Sequence, residues 1–254
     1  MYSIINIYSV NVGGYSQFTY SRVDIELIFG EIIKNTLNKP FIICLQEVTD
    51  AQIDIVRNKR KIPYDSLSAM QANPSKDENG KKYYSHNVVI ISDDFVFTGN
   101  QVPTDFFNGG RSTSWLEIKH KESESIFEIC SLHGKVGSPI TELSVIMTEL
   151  LNNKSRILCG DFNVNSAKLL GYARDNIGAV SKYIQKMDKT LWLGKGPDFI
   201  FADGKYLEIV NFNSSIGIQA NKKIPHSVIR ATLQLSTAKT GGYTFSKFVR
   251  FILD

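Results

Sequence analysis

Two apolar runs of this sequence lead directly into carboxylates, which is where chemistry could occur. Glu47 follows the run FIICLQ, and Asp161 and Asn163 follow the run RILCG. Two residues that are two positions apart share a face of an extended segment, so Asp161 and Asn163 could together orient a water molecule and a phosphate oxygen. Glu47 could hold Mg²⁺, which proteins bind through few carboxylates with waters and phosphate oxygens. The simpler alternatives are a surface glutamate before a helix and a turn after a strand.

Polar residues at the ends of other apolar runs could add proton transfer and phosphate contacts. His133 in SLHGK and His226 in IPHSVIRATL stand where such runs meet loops. Histidine suits proton transfer near neutral pH, and Asp198 in GPDFIF could orient a histidine. Core or loop histidines and a turn aspartate after a Gly-Pro pair are the alternatives. Asn11 ends the first apolar run, and Arg111 after Asn-Gly-Gly could either reach a phosphate or lie exposed in a turn.

The elements that must position these residues follow from the hydrophobic pattern. The chain has 254 residues, 43% hydrophobic and 21% charged, which excludes a disordered chain. No uncharged apolar run reaches the roughly 18–20 residues of a membrane-spanning helix. The pattern predicts one α/β domain over residues 1–254, with 237–254 as a C-terminal extension. Strands are predicted at 3–10, 40–48, 86–92, 112–120, 125–133, 156–163, 198–202, 206–212 and 227–235, helices at 21–38, 50–60 and 139–153, and a polar loop at 73–82.

Charge and cysteine usage narrow the function classes only modestly. The net charge, 29 − 25 = +4, permits a polyanionic partner without requiring one. The odd set of Cys44, Cys130 and Cys159 excludes a fully paired disulfide framework, and each thiol lies in an apolar run without a CxxC pair. Buried free thiols fit a reducing compartment. The N-terminus predicts a first strand and no signal peptide, so we expect an intracellular protein of the cytoplasm or nucleus.

Six motifs occur in one order across nearly the whole chain. They are SVNVGG, LQEV, SLHGK, GDFNV, GPDFIF and PHSVIRATL. This ordered set resembles the endonuclease/exonuclease/phosphatase superfamily, and within it the deoxyribonuclease I-like nucleases. The LHG and GDFN elements are most similar to that branch and to the related nuclease subunit of cytolethal distending toxin. The resemblance implies a four-layer α/β sandwich of two mostly antiparallel sheets flanked by helices. It also implies divalent-metal-dependent phosphoester hydrolysis at one edge of the sandwich.

The resemblance assigns roles to the residues that match its motifs. Glu47 would bind Mg²⁺ or Mn²⁺, with Asn11 beside it on the substrate side. Asp161 and Asn163 would position the attacking water and the scissile phosphate. Arg111, in a looser match, would contact a substrate phosphate. Such an arrangement is chemically reasonable because phosphodiester hydrolysis builds negative charge that a metal and cationic donors stabilise.

The histidines would handle protons. His226, oriented by Asp198, would act as general base or stabilise the phosphate, and His133 would stabilise the phosphate or protonate the leaving oxygen. Two positions depart from the family pattern. Pro225 replaces the aspartate that usually precedes the last histidine, and Gly13 replaces an acidic or amide residue of the first motif. These departures remove possible metal-shell groups and imply a one-metal site with fewer protein ligands, altered metal affinity, or a weakened or lost activity.

The leading hypothesis is therefore a Mg²⁺- or Mn²⁺-dependent nuclease. The basic run at 57–61 and the pair Lys222-Lys223 near His226 suit a phosphate backbone. We expect a monomer that binds nucleic acid, DNA in preference to RNA, and no membrane. The alternatives are a phosphatase or small-molecule phosphodiesterase of the same fold, and a catalytically weakened binding protein on that scaffold.

Overall fold

The structure of the protein is a computed structural model. It describes residues 4–13, 39–49, 85–104, 113–134, 156–163, 183–187, 198–203, 207–213 and 228–235, together with residues 26, 28, 30–32, 34, 36, 52, 75–76 and 82–83. The strands of this part of the chain are β1 (Ile4–Asn11), β2 (Phe41–Val48), β3 (Ser75–Lys76), β4 (Lys82–Tyr83), β5 (His86–Ile91), β6 (Phe95–Thr104), β7 (Thr113–His120), β8 (Ile126–His133), β9 (Arg156–Asp161), β10 (Tyr183–Met187), β11 (Asp198–Asp203), β12 (Leu207–Asn213) and β13 (Ile229–Leu235).

Most of these strands form two sheets. The first sheet has the order β12-β13-β1-β2-β5, and the second has the order β10-β11-β9-β8-β7-β6. Each sheet contains one parallel pair, β1 with β2 and β8 with β9, and every other pairing in them is antiparallel. The predicted pair of mostly antiparallel sheets is therefore confirmed. The parallel pairs matter for function because the carboxyl ends of parallel strands lie at the same edge of a sheet.

The two sheets pack face to face over a shared apolar core. One cluster of buried side chains draws on both sheets and includes Ile7, Ile42, Ile129 and Ile157. Burying each such side chain contributes about 1.5–3 kcal/mol. Successive residues of a strand point to opposite faces, so the intervening residues of β1, such as Tyr8, face the other way. The central strands therefore bury both faces and read as continuous apolar runs.

A helical segment covers the outer face of the first sheet. The described residues between 26 and 36 are helical, as the spacing over 21–38 predicts. Ile28 and Ile32, one helical turn apart, are buried in a second cluster with Tyr8, Val10 and Ile43. This layer completes one side of the predicted sandwich. In the described parts of the chain, no helix is long and apolar enough to cross a membrane.

Some strands were not predicted from the sequence. The expected polar loop at 73–82 contains β3, which pairs with β4 as a short hairpin. Strand β6 was not predicted because Gly99 and Pro103 disfavour a strand interior. Both are tolerated here because β6 lies at the edge of its sheet and its register shifts between Phe97 and Gln101. Strand β10, the other edge, was also missed.

Some predicted elements fall where the structure gives no description. The helix at 139–153 and the extension at 237–254 lie outside the described residues. Of the helix at 50–60, only Gln52 is described, and it is helical. The single-domain assignment over 1–254 stays a prediction.

The three cysteines provide a test of the core. Cys44, Cys130 and Cys159 form no disulfide and are fully buried. Burial raises the pKa of the Cys159 thiol well above its ordinary value, and a hydrogen bond with the Cys44 side chain raises it further. Because the thiolate is the reactive form, we expect Ellman's reagent to modify none of these thiols in the native protein and all three after unfolding in guanidinium. Rapid labelling of native protein would contradict this packing.

Candidate active site

Four polar residues meet where the two parallel strand pairs end. Asn11 ends β1 and Glu47 lies at the end of β2, while His133 and Asp161 end β8 and β9. His133 and Asp161 are direct register partners. Because both parallel pairs end at the same edge of the sandwich, residues from both sheets come together there. The structure thus unites four residues that the sequence analysis singled out.

Asn11 connects the two carboxylates across the sheets. Its Nδ2 donates to Glu47 Oε1 at 3.1 Å and to Asp161 Oδ2 at 2.9 Å. Its Oδ1 accepts a hydrogen bond from the backbone N–H of Gly13 at 2.8 Å, which leaves the amino group facing the carboxylates. Asn11 is therefore fixed in orientation, and it holds Glu47 and Asp161 near one another. This is a positioning role beside the predicted metal ligand.

His133 faces the same two carboxylates. Its Nε2 lies 3.1 Å from Glu47 Oε1 and 3.8 Å from Asp161 Oδ2. The His133 and Asp161 side chains are nearly inaccessible, whereas 25% of the Glu47 side chain is exposed. The cluster of Asn11, Glu47, His133 and Asp161 is therefore accessible from the side of Glu47, where solvent, a cation or a substrate could enter. A protonated His133 would carry positive charge beside the two carboxylates.

A local irregularity of β2 presents Glu47 at this position. Strand β2 pairs with β5 at Leu45–Val88 and again at Val48–His86, so β2 holds one more residue than its partner between these points. Glu47 has φ 54°, in the left-handed region that non-glycine residues seldom occupy. Such a conformation costs about 1–3 kcal/mol and is common at functional sites. Immediately beyond it, Thr49 and Gln52, which is helical, exchange backbone–side-chain hydrogen bonds in the pattern of a capping box.

Gly13, where the resemblance to the nuclease family leads one to expect an acidic or amide residue, adopts a conformation that favours glycine. Its φ is 79°, in the region that favours glycine, and its N–H donates to Asn11 Oδ1. The turn at Gly13 orients the Asn11 side chain. In the described part of the site, the carboxylate oxygens come from Glu47 and Asp161.

The loops that follow β8 and β9 are fastened to each other. Gly134 N–H donates to the backbone oxygen of Asp161, and Asn163 Nδ2 donates to the Gly134 oxygen, both at 2.6 Å. Asn163 N–H also donates to Asp161 Oδ1 at 2.8 Å, which fixes that carboxylate. A Cβ on Gly134 would overlap the Phe162 carbonyl oxygen and lie 2.7 Å from its carbonyl carbon. The close approach explains the glycine that follows His133.

The remaining predicted residues are only partly placed. Asp198 begins β11, and its backbone pairs with that of Asp161, which puts it at the same edge. Arg111, Pro225 and His226 lie outside the described residues. The roles assigned to these residues stay predictions.

A layer of polar residues directly beneath the site was not predicted. Gln46 Nε2 donates to Ser131 Oγ at 2.9 Å and to Ser9 Oγ at 3.2 Å, and all three residues are buried. A sequence signal exists for the serines. Ser9 precedes Asn11 by two positions and Ser131 precedes His133 by two, so each shares a strand face with a site residue.

The donor set fits a hard divalent cation. Glu47 Oε1 and Asp161 Oδ2 both lie near Asn11 Nδ2 and His133 Nε2. Two carboxylates face one imidazole, so negative charge is in excess among these residues. Within the described ranges, no group of three or more His, Cys, Asp or Glu residues forms a metal cage. Mg²⁺ usually keeps several waters and few protein ligands, so oxygen atoms of Glu47 and Asp161 match its preference.

Comparisons with known proteins agree at the level of fold. No family model and no curated protein matches the sequence. An endonuclease/exonuclease/phosphatase family protein from Bacteroides vulgatus has a TM-score of 0.64 at 15% identity, covering 92% of this chain and 100% of that one. ANGEL2, a 2',3'-cyclic phosphatase, gives 0.64 at 12% identity, covering 93% and 97%. The mannosyl-6-phosphatase Bt3783 of Bacteroides thetaiotaomicron gives 0.59 at 15% identity, covering 92% and 100%.

The chain therefore has the endonuclease/exonuclease/phosphatase fold, also called deoxyribonuclease I-like. This confirms the four-layer α/β sandwich as the fold class that the ordered motifs implied. The edge at which Asn11, Glu47, His133 and Asp161 meet is the candidate active site.

Proposed function

We propose that the protein is a divalent-metal-dependent phosphoester hydrolase that acts on nucleic acid, DNA in preference to RNA. The single observation that carries the proposal is the convergence of Asn11, Glu47, His133 and Asp161 from four strands of two sheets. These residues combine a fixed amide, two carboxylates and a histidine at a place that is open on one side. This combination suits phosphoester hydrolysis, in which negative charge builds up around phosphorus.

Glu47 and Asp161 would hold the cation, Mg²⁺ or Mn²⁺. When bound, such a cation supplies positive charge that stabilises the transition state at a phosphoryl group. Asn11 keeps the two carboxylates together through its amino group. The carboxylate of Asp161, anchored by the N–H of Asn163, faces the same space and would orient the attacking water.

The protein's side chains would also move the protons. Water oxygen forms a bond to phosphorus, and the bond between phosphorus and the leaving oxygen breaks. His226, oriented by Asp198, would take the proton of the water. His133 Nε2 faces the site and, when protonated, would give its proton to the leaving oxygen. The backbone pairing of Asp198 with Asp161 supports a place for Asp198 at this edge.

The proposal of a nucleic-acid substrate is based on the charge of the chain. The chain carries a net charge of +4, with the basic run 57–61 and the pair Lys222-Lys223 four and three positions before His226. Arg111 would add a phosphate contact. Cationic side chains beside a site attract a polyphosphate backbone and make binding sensitive to salt. The proposal also includes a single-domain monomer. It includes an intracellular location, because the three thiols are buried and none of them is in a disulfide.

A phosphatase or small-molecule phosphodiesterase is the second candidate. The structural neighbours favour it, since ANGEL2 is a 2',3'-cyclic phosphatase and Bt3783 is a mannosyl-6-phosphatase. A weakened binding protein is the third, since Pro225 and Gly13 remove possible metal-shell groups. All three hypotheses use the same residues at the edge of the sandwich. Only the substrate that the protein hydrolyses can therefore distinguish the hypotheses.

A substrate panel separates these candidates. Supercoiled plasmid, single-stranded RNA, adenosine 2',3'-cyclic phosphate and mannose 6-phosphate are each incubated with Mg²⁺, Mn²⁺ or EDTA. We expect metal-dependent plasmid cleavage by the wild-type protein and none by the His133→Ala, Asp161→Ala double variant. Turnover of a small ester with intact plasmid would support the phosphatase. No turnover of any substrate with either metal would contradict the enzymatic proposals.

A further inference from the structure

We propose that Ser131 is a positioning residue for Glu47, although it belongs to the opposite sheet. Its hydroxyl holds the irregular part of β2 that turns the Glu47 carboxylate into the site. The inference rests on the proposed function, because it concerns the same metal-binding carboxylate.

The conformation of Glu47 needs external support. Between the pairs Leu45–Val88 and Val48–His86 the regular register of β2 with β5 is interrupted, and Glu47 adopts φ 54° inside this interruption. A non-glycine residue in this conformation persists only where its surroundings determine it. The restraints on the segment therefore decide where the carboxylate points.

Ser131 provides two of those restraints from β8. Its Oγ donates to the backbone oxygen of Leu45 at 2.8 Å and accepts a hydrogen bond from Gln46 Nε2 at 2.9 Å. A hydroxyl has one proton, so the bond to the Leu45 carbonyl sets the direction of the second bond. Leu45 and Gln46 immediately precede Glu47 in the chain. One side chain thus fixes both the peptide and the side chain that lead into the strained residue.

The hydrogen bonds of Ser131 with Leu45 and Gln46 are shielded from solvent. Gln46 is fully buried and Ser131 is 2% exposed, so bulk water does not compete for these bonds. Ser9 Oγ, from β1, holds the same Gln46 amide at 3.2 Å. The amide of Gln46 therefore connects β1, β2 and β8 directly beneath the site.

Ser131 also relates Glu47 to His133. The two residues of β8 are two positions apart and share a face of the strand. Strand β8 therefore carries both the His133 ring and the Ser131 hydroxyl that bonds to β2. The Nε2 atom of His133 lies 3.1 Å from Glu47 Oε1. Loss of the Ser131 hydroxyl should release Glu47 from this geometry without removing any residue that contacts the cation.

The test measures Mn²⁺ binding by electron paramagnetic resonance in the full chain. The variant Ser131→Ala should bind Mn²⁺ about 10-fold or more weakly than wild type, the range seen when groups supporting metal ligands are removed. The matched control is Ser92→Ala. Ser92 is also buried, accepts a hydrogen bond from the Phe41 N–H and donates to Asp94, at the other end of β2. It should keep wild-type affinity even if its unfolding temperature falls.

A second variant protects the test from a folding failure. Ser131→Cys keeps the shape of the side chain with a somewhat larger atom and fills the space of the hydroxyl, but a thiol forms only weak hydrogen bonds, so this variant should also lose affinity. Wild-type affinity in Ser131→Ala, or in Ser131→Cys if the alanine variant does not fold, would overturn this inference alone. Loss of affinity in Ser92→Ala to the same extent would also overturn it. An absence of Mn²⁺ binding by the wild-type protein would instead contradict the proposed function, and this inference with it.

Discussion

Replacing Asp161 by asparagine should lower the turnover number about 1,000-fold while the fold remains intact. The Asp161 carboxylate is nearly fully buried, accepts hydrogen bonds from Asn11 and the Asn163 backbone, and faces His133. Asparagine has the same shape but carries no charge, so it would neither hold a cation nor orient water as a carboxylate does. Turnover is measured on the substrate that the wild-type protein hydrolyses best.

Stability distinguishes this catalytic effect from unfolding. Asp161→Asn sets an amide NH₂ group against one of the two N–H donors that Asp161 accepts from, so we expect a loss of about 1–3 kcal/mol of unfolding free energy and an unchanged circular dichroism spectrum. Asp94→Asn is the matched control, because Asp94 accepts a hydrogen bond from Ser92 away from the site. It should keep wild-type turnover. Full activity in Asp161→Asn would contradict the assignment of the site.

The substitution Gly160→Ala should cost about 3–5 kcal/mol of unfolding free energy. Gly160 lies within β9 opposite Leu132 and has φ 149°. A Cβ there would overlap the Leu132 carbonyl oxygen and lie 2.8 Å from its carbonyl carbon. The backbone of β8 or β9 would have to move, and both strands end in site residues.

The matched control is Gly30→Ala, which should raise stability by about 0.5–1 kcal/mol. Gly30 is exposed in the helical segment, and a Cβ there would meet nothing within 4 Å. Urea unfolding followed by circular dichroism measures both variants. Equal stability of Gly160→Ala and wild type would show that β8 and β9 do not approach each other as described.

The sequence predicts well the elements whose signals are local. The runs that end at Asn11, Glu47, His133 and Asp161 are apolar because their strands lie in the middle of a sandwich, and their patterns predict buried strands. Strand β6 was missed because its glycine and proline carry turn signals that an edge strand tolerates. Local patterns do not show whether a strand lies at an edge.

The geometry of the site depends on contacts that no local pattern contains. Asn11 and Asp161 are 150 residues apart in sequence, and only the ordered motifs and their resemblance to a family suggested that they meet. The positive φ of Glu47 was not predicted, since the LQEV run reads as regular strand. The Ser131–Gln46 contact was missed for a similar reason, because it joins two sheets that pack only in the folded chain.

The central claim is that the meeting point of these strands binds a divalent cation through Glu47. The most direct test is a Mn²⁺ titration of wild type, Glu47→Gln and the control Glu124→Gln by electron paramagnetic resonance. Glu124 is exposed and pairs with Lys119, away from the site edge. We predict that Glu47→Gln binds Mn²⁺ at least about 10-fold more weakly than wild type and that Glu124→Gln binds it equally well. Equal affinity in wild type and Glu47→Gln, or no binding by wild type, would contradict the account.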